Sequence, residues 1–160
     1  MPVLLRAGVV GTGHLGYHHA RHYAALDGVE LIGIADPDEV RRNKAMTDFG
    51  TAGVASVQEL IARGIDIASV ATPTSSHHDV VLSLLEAGVD VLVEKPIAPT
   101  LEEAETMVAA AQAHGRLLQV GHIERFNGAV MALFEALHAP RFIECHRLSP
   151  FPGRGADVSV

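Results

Sequence analysis

The chain has 160 residues, of which 48% are apolar, so it can form one folded domain with a sizeable core. Its formal net charge of −7 argues against nucleic-acid binding, because phosphate backbones need clustered Lys and Arg. No apolar run approaches the ~20 residues of a membrane span, and Arg6 interrupts the apolar start where a signal peptide would have to continue.

Strand-like and helix-like segments alternate along the chain. This order predicts an α/β fold, a Rossmann-type doubly wound parallel sheet of about six strands with helices on both faces. The predicted strands cover residues 3–10, 29–35, 52–55, 65–71, 89–93 and 117–120. The predicted helices cover residues 14–26, 37–49, 57–63, 77–87, 101–114 and 126–137.

Particular residues mark the predicted helix ends. Pro37 is expected to open the second helix, where its missing N–H costs nothing. Capping boxes begin at Ser56 and Thr100, and Ser76 is expected to cap the fourth helix.

The end of the sequence differs from the rest. Residues 141–148 are predicted to form a strand, and residues 149–160 turn to Pro, Gly and polar residues. A last strand without a partner is unusual in a complete domain. We therefore expect residues 1–140 to form one domain and residues 141–160 to begin a second domain that the chain does not complete.

The chain has one cysteine, Cys145, so it cannot form an internal disulfide. This suits a reducing cytosol, and we expect a cytoplasmic protein. We expect Cys145 itself to be a small buried apolar residue.

The first predicted strand leads directly into a G-x-G-x-x-G motif at the start of a predicted helix. The motif consists of Gly11, Thr12, Gly13, His14, Leu15 and Gly16. Asp36 follows the second predicted strand, at the distance from the motif that is typical of an acid that binds a ribose. Together they predict a site for the pyrophosphate and adenosine ribose of a dinucleotide.

The carboxylate of Asp36 can accept hydrogen bonds from both ribose hydroxyls of NAD and would repel the extra phosphate of NADP. We therefore expect NAD as the cofactor, rather than NADP. Arg41 and Arg42, one turn into the next helix, could soften that repulsion. Asp36 is also placed to cap that helix, and the two roles are compatible.

Two further segments follow predicted strands at the edge where open α/β sheets bind ligands. The segment with Thr72, Pro73 and His77 is interpreted either as a loop beside the cofactor or as a capped turn with surface histidines. In the second segment, Lys95 is interpreted as a desolvated proton-transfer group or as a surface lysine in a turn.

The motifs occur together and in one order. They are the glycine motif, Thr72-Pro73 with His77, Glu94-Lys95-Pro96, Thr100-Leu101-Glu102-Glu103-Ala104 and Gly121-His122-Ile123-Glu124-Arg125-Phe126-Asn127. Over residues 3–150 the chain resembles the N-terminal half of the Gfo/Idh/MocA family (glucose–fructose oxidoreductase and inositol dehydrogenase). The resemblance implies an NAD(P)-dependent dehydrogenase that transfers a hydride between nicotinamide and a sugar, cyclitol or nucleotide-sugar hydroxyl.

The resemblance also implies roles for particular residues. Lys95 would sit at the nicotinamide and assist proton transfer, and the Lys95–Pro96 bond is often cis in the family. Thr72, Pro73 and His77 would line the cofactor cleft, and Glu94 and Pro96 would belong to the same cofactor-binding site.

Residues 120–127 and 148–151 are most similar to family members that act on nucleotide-activated amino sugars, for example at C3 of UDP-N-acetylglucosamine. The implied partner is such a small molecule, with a homo-oligomer at full length and no nucleic acid or membrane.

The sequence departs from the family pattern at two points. No Asp-x-x-x-His motif follows Lys95, so we expect the chain alone to be inactive. Gly128 follows Asn127 where the family often has Pro.

Two other functions are alternatives to a dehydrogenase of this kind. One is a non-catalytic dinucleotide-sensing module. The other is an enzyme that cycles tightly held NADP, and the carboxylate of Asp36 argues against it.

Histidines recur on the first predicted helix. His14, His18 and His22 share one face, where a metal site is conceivable, but we favour a solvated face and no metal. His19 and His78 are also expected to be ordinary surface residues. His122 and Arg125 could reach the mouth of the active site or be plain loop residues.

Overall fold

Six parallel strands form one sheet in the computed structural model, which describes residues 4–146 and 148. They are β1 (Leu5–Val10), β2 (Val29–Ala35), β3 (Ala52–Val54), β4 (Ile67–Val70), β5 (Asp90–Val93) and β6 (Leu118–Val120). The order across the sheet is β3-β2-β1-β4-β5-β6, and each neighbouring pair is parallel. The predicted doubly wound sheet is confirmed.

Within the described part of the chain, six α-helices connect or follow the strands. They are α1 (His14–Ala25), α2 (Glu39–Phe49), α3 (Val57–Ile61), α4 (His77–Glu86), α5 (Leu101–His114) and α6 (Gly128–Ala136). Short 3₁₀ turns at Thr74–Ser76 and Ile123–Phe126 precede α4 and α6. None of these helices is long and apolar enough to cross a membrane.

The sheet has a separate apolar core on each face. One core lies between the sheet and α3, α4 and α5, where Leu60, Leu84 and Met107 are completely buried. The smaller core lies under α1 and α2 and includes Ala20 and Ile34. Burial on both faces explains why the strands are short continuous apolar runs.

The strands end in one row at the carboxyl edge of the sheet. The last residues in register are Val54, Ala35, Val10, Val70, Val93 and Val120. The residues directly after the ends of β2, β1, β4, β5 and β6 are Asp36, Gly11, Ala71, Glu94 and Gly121. The strand order reverses between β1 and β4, and this is where sheets of this kind bind ligands.

One predicted helix start and two predicted caps are wrong. Pro37 does not open α2, because the helix begins only at Glu39. Its cap is Asp38 rather than Asp36, since the side chain of Asp38 accepts the N–H of Arg41 at 3.0 Å. Ser76 makes no capping hydrogen bond, since a 3₁₀ turn leads the chain into α4.

The other two predicted caps are confirmed. Ser56 and Thr100 accept the N–H groups of Glu59 and Glu103 at 3.3 and 3.2 Å.

The predicted strand at 141–148 is also wrong for the described residues 141–146 and 148, which form no strand. A strand needs a neighbour for its backbone N–H and C=O groups, and this exposed segment pairs with no described strand. Cys145 is exposed there, so its predicted burial is wrong. Residues 147 and 149–160 lie outside the described residues, and the domain boundary near residue 140 stays a prediction.

The core can be tested by shortening one buried side chain. Replacing Leu84 with Ala should lower the free energy of unfolding by about 2–5 kcal/mol, because it leaves a cavity. Leu101, 74% exposed, is the matched control, and its replacement by Ala should change that free energy by less than about 0.5 kcal/mol. Urea denaturation measures both, and equal losses would contradict the described packing.

Candidate functional site

The glycine loop, residues 11–16, connects β1 to α1 and is held by close backbone contacts. Gly11 has a φ of +83°, and a Cβ at this position would lie 2.8 Å from the carbonyl oxygen of Ala71. A Cβ at Gly16 would lie 1.7 Å from the carbonyl oxygen of Gly11. A Cβ at Gly13 would meet nothing within 4 Å. Two of the glycines therefore allow close packing, whereas Gly13 borders open space.

The N-terminus of α1 is open to an anion. Gly13 stands at the N-cap, no side chain caps the helix, and its first turn has no acidic residue. His14 and Leu15 are exposed at this end. Among the described helices, side chains cap four others, and the capping residues are Asp38, Ser56, Thr100 and Asn127. The uncapped N–H groups and the helix dipole suit a phosphate group, so the loop fits the pyrophosphate of a dinucleotide.

Asp36, at the end of β2, is 2% exposed and surrounded by donors. Its carboxylate accepts the N–H and the hydroxyl of Thr12 at 2.7 and 2.9 Å, and the N–H of Asp38 at 2.9 Å. The guanidinium of Arg41 donates to both oxygens at 3.1 and 3.2 Å. Asp36 therefore ties the glycine loop to β2 through Thr12.

Burial alone would raise the pKa of Asp36. The hydrogen bonds from Arg41, Thr12 and Asp38 outweigh burial and hold the pKa below its ordinary value. The carboxylate is therefore ionised. Arg41, whose side chain is 50% exposed, is the partner that an incoming ribose could displace.

The loops after β4 and β5 are joined by His77. Thr72 is half-buried and Pro73 is exposed, but His77 is only 1% exposed. The Nε2 of His77 lies 3.1 Å from the carbonyl oxygen of Thr72, and its Nδ1 lies 3.0 Å from that of Pro96. His77 thus contacts the backbone of both loops, and any effect on a ligand would pass through them.

The second loop places Lys95 at the carboxyl edge, directly after β5. The Lys95–Pro96 bond is cis, as the resemblance implies. Lys95 and Pro96 are exposed, whereas Glu94 is 8% exposed. The described residues leave Lys95 exposed, and its role in proton transfer stays a prediction.

Sequence reasoning missed His19, which is not an ordinary surface residue. Its Nε2 lies 2.9 Å from Oε1 of Glu94, and its Nδ1 lies 3.0 Å from Oγ of Ser69. The hydroxyl of Tyr23 lies 2.9 Å from the same Oγ. The signal was available, because residues 16, 19, 20 and 23 have the i, i+3, i+4, i+7 spacing of the inner face of a helix.

This contact changes the titration of Glu94. The hydrogen bond from His19 lowers the pKa of Glu94 below its ordinary value of 4.5, and this outweighs the opposing effect of burial. Burial raises the pKa of Tyr23.

The remaining candidates lie apart from these contacts. The rings of His14 and His18 meet edge to face at 5.0 Å. Across residues 4–146 and 148, no group of three or more His, Cys, Asp or Glu side chains is arranged to hold a metal ion. His122 is exposed, and Arg125 lines a cavity of about 540 Å³ beyond β6.

A family model described as an oxidoreductase family with an NAD-binding Rossmann fold matches residues 5–122, most of the chain. The chain belongs to this Gfo/Idh/MocA family. It is 38% identical to a UDP-N-acetylglucosamine 3-dehydrogenase of Acidithiobacillus ferrooxidans, over 98% of this chain and 49% of that enzyme. It is 34% identical to an inositol 2-dehydrogenase of Saccharopolyspora erythraea, over 92% of this chain and 47% of that enzyme.

The Gfo/Idh/MocA assignment extends to solved structures. One is the WlbA dehydrogenase of Chromobacterium violaceum in complex with NADH and UDP-GlcNAcA, with a TM-score of 0.78 and 31% identity. The match covers 84% of this chain and 39% of that one. The chain therefore spans about half the length, or less, of the relatives that it matches.

The two kinds of glycine in the loop can be separated by mutation. Gly16→Ala should lower the free energy of unfolding by about 1–3 kcal/mol or more, because the new methyl group overlaps the Gly11 carbonyl. The methyl group added by Gly13→Ala has no neighbour to overlap, so this variant should change the free energy of unfolding by less than about 0.5 kcal/mol. Urea denaturation compares the two variants, and similar losses would show that the close approach at Gly16 is not a constraint.

The pair of His19 and Glu94 predicts how stability depends on pH. The folded chain lowers the pKa of Glu94, so the ionised carboxylate stabilises the fold above its ordinary pKa of 4.5. This contribution is lost as the pH falls through the lower pKa of the folded state. Glu94→Gln should thus have a lower free energy of unfolding than the unmodified chain, and this deficit should be largest near neutral pH and shrink in acid.

Unfolding by urea at a series of pH values measures that deficit. Glu105→Gln, an exposed carboxylate on α5, is the matched control and should show little deficit at any pH. A deficit for Glu94→Gln that is constant down to strong acid would contradict the assigned contact.

Proposed function

We propose that this chain is the cofactor-binding half of an NAD-dependent dehydrogenase that oxidises a CH–OH group of a nucleotide-activated amino sugar. The observation that carries the proposal is the meeting of four loops at the carboxyl edge of the sheet. The glycine loop and Thr72 lie where the strand order reverses, and Asp36 and Lys95 follow the flanking strands β2 and β5. Membership of the Gfo/Idh/MocA family supports the reaction class.

Each part of the edge suits one part of the dinucleotide. The open N-terminus of α1, with Gly13 beside it, would bind the pyrophosphate. Asp36 would accept the hydroxyls of the adenosine ribose in place of Arg41. Thr72 and Pro73 would line the cleft between the glycine loop and Lys95.

Lys95 would serve the reacting end of the site. When bound, NAD supplies the acceptor for the hydride that leaves the alcohol carbon. Lys95, exposed at the end of β5, would assist removal of the hydroxyl proton as that hydride leaves. The chain's other contribution is to hold Lys95 in place through its neighbours.

The charge at Asp36 favours NAD over NADP. The carboxylate is ionised because its hydrogen bonds lower its pKa, so an additional phosphate on the ribose would face a negative charge. Arg41 offsets part of that repulsion. We therefore propose NAD as the preferred cofactor, with NADP a weaker ligand.

The substrate proposal is supported by the relatives. A 38% identical relative is a UDP-N-acetylglucosamine 3-dehydrogenase, which favours a hydroxyl of a nucleotide-activated amino sugar such as C3 of UDP-N-acetylglucosamine. An inositol 2-dehydrogenase at 34% identity makes a cyclitol the second candidate. We further propose that the complete enzyme is cytoplasmic, which the single cysteine supports, and that it is a homo-oligomer, as the family resemblance implies.

The two lysines of the sequence allow a matched test of the reaction. In the complete enzyme, Lys95→Ala should lower turnover of the activated sugar by about 10²–10⁴-fold, the usual contribution of an acid–base group. Lys44 pairs with Asp48 on the surface of α2, and Lys44→Ala should leave turnover unchanged. Calorimetry should show that all three proteins bind NAD with similar affinity, and more tightly than NADP.

Each other outcome has a definite meaning. Full turnover by Lys95→Ala would exclude the proton-transfer role. Tight NAD binding without turnover of any sugar or cyclitol would favour a dinucleotide-sensing module. Absence of NAD binding would overturn the whole proposal.

A further inference from the structure

We propose that the hydrogen-bond chain of Tyr23, Ser69, His19 and Glu94 is a positioning device that holds Lys95 toward the nicotinamide end of the site. This inference rests on the proposed function, because it assigns these four residues a role in cofactor binding. The four residues come from α1, β4 and the end of β5, so they join the helix of the glycine loop to the loop that carries Lys95.

These four hydrogen-bonded residues lie on the face of the sheet that α1 covers. Ser69 is completely buried and pairs in register with Val9 on one side and Leu92 on the other. Glu94 follows two residues after Leu92 and therefore points to the same face. His19 reaches across from the helix to bridge Ser69 and Glu94, where apolar packing would otherwise continue from Val9.

One arrangement of donors and acceptors, with the proton of His19 on Nε2, satisfies the hydrogen-bonding groups of all four residues. The hydroxyl of Tyr23 donates to Oγ of Ser69, whose own hydroxyl donates to Nδ1 of His19. The Nε2–H of His19 then donates to Oε1 of Glu94 at 2.9 Å. The remaining oxygen, Oε2, accepts the main-chain N–H of Lys95 at 3.3 Å. The chain thus ends on the backbone of Lys95.

The Glu94 carboxylate is confined from the other side by Gly121. A Cβ at this position would lie 3.1 Å from Oε1 and 3.2 Å from Oε2 of Glu94. Gly121 therefore leaves just enough room for the carboxylate where it is hydrogen-bonded. Beyond Lys95, His77 contacts the carbonyl oxygens of Pro96 and Ile97 at 3.0 and 3.3 Å. The loop is held on both sides of Lys95.

A buried polar chain is costly when one member is lost, because the remaining groups are left without partners. Removing His19 would leave the ionised carboxylate of Glu94 without its main donor, and the carboxylate would move toward other donors or water. Its bond to the N–H of Lys95 would then be lost, and the loop backbone at the nicotinamide end, which Lys95→Ala leaves in place, would shift. The effect should be confined to the nicotinamide end, since Thr12 and Asp36 hold the adenosine end independently.

Two ligands separate the two ends of the site. NADH engages both ends, and its nicotinamide fluorescence reports how that ring is held. ADP-ribose lacks the nicotinamide and tests the adenosine end alone. The sequence contains no Trp, so protein fluorescence does not interfere with the NADH signal.

The test uses the 160-residue chain and its His19→Leu variant. The variant should lose the NADH fluorescence enhancement and bind NADH about tenfold more weakly, equivalent to about 1.4 kcal/mol. Its affinity for ADP-ribose should stay within about twofold of the unmodified chain, a difference well under that free energy. His22 is an exposed histidine on the same helix, so His22→Leu is the control and should change the affinity for neither ligand.

A conservative pair distinguishes positioning from general stability. The amide of Gln reaches about as far as Nε2 of His, so His19→Gln keeps a donor for Glu94 and should recover NADH binding. The amide of Asn reaches only as far as Nδ1, so His19→Asn should not recover it. If His19→Leu fails to fold by circular dichroism, the comparison of Gln with Asn decides.

The failures of the two proposals are distinguishable. If the unmodified chain binds neither NADH nor ADP-ribose, the proposed function is wrong. The positioning role is wrong, while the proposed function stands, if the unmodified chain binds both ligands but His19→Leu and His19→Asn do not weaken NADH binding more than ADP-ribose binding.

Discussion

The close approach of α1 to the end of β1 is the constraint on which the site depends. Gly16 packs so tightly against the carbonyl of Gly11 that a methyl group would overlap it. This contact aims the uncapped start of α1 at the carboxyl edge of the sheet. It also sets how the rest of the helix lies over the sheet, so that His19 and Tyr23 reach Ser69 on β4. One glycine contact therefore places both an anion site and a buried polar chain.

Two buried carboxylates at this edge of the sheet have different roles. Asp36 follows β2 and Glu94 follows β5, and hydrogen bonds keep the pKa of each below its ordinary value. Asp36 is paired with a half-exposed Arg41, which a ligand could exchange. Glu94 is paired with the partly buried His19 and with the backbone of Lys95, which suits a fixed support. The same chemical group thus serves as a ligand-facing acceptor in one place and as an anchor in the other.

The three loops after β1, β4 and β5 form one connected structure. Gly11 approaches the backbone of Ala71 and Thr72, and His77 then links Thr72 to Pro96. These are backbone contacts, so they constrain where each loop lies. Buried side chains at a sheet edge commonly support exposed ones that meet a ligand. His77 and His19 have this place on the two sides of Lys95.

The sequence by itself determined the element order, the parallel sheet and the glycine loop. Apolar periodicity and helix-ending residues are local signals, and they located every strand and helix through α6 to within a few residues. The caps at Ser56 and Thr100 were predictable for the same reason, because cap and partner are three residues apart. The predicted opening of α2 at Pro37 and its cap at Asp36 failed, because Asp38 accepts the N–H of Arg41 and the helix begins at Glu39.

Only the tertiary structure decided how the side chains meet. His19 and Glu94 are 75 residues apart in sequence, and His77 contacts a carbonyl 19 residues away. The exposure of Lys95 likewise depends on how finished elements pack. Such contacts leave no periodic trace along the chain, because they arise only when parallel strands bring distant residues to one edge of a sheet.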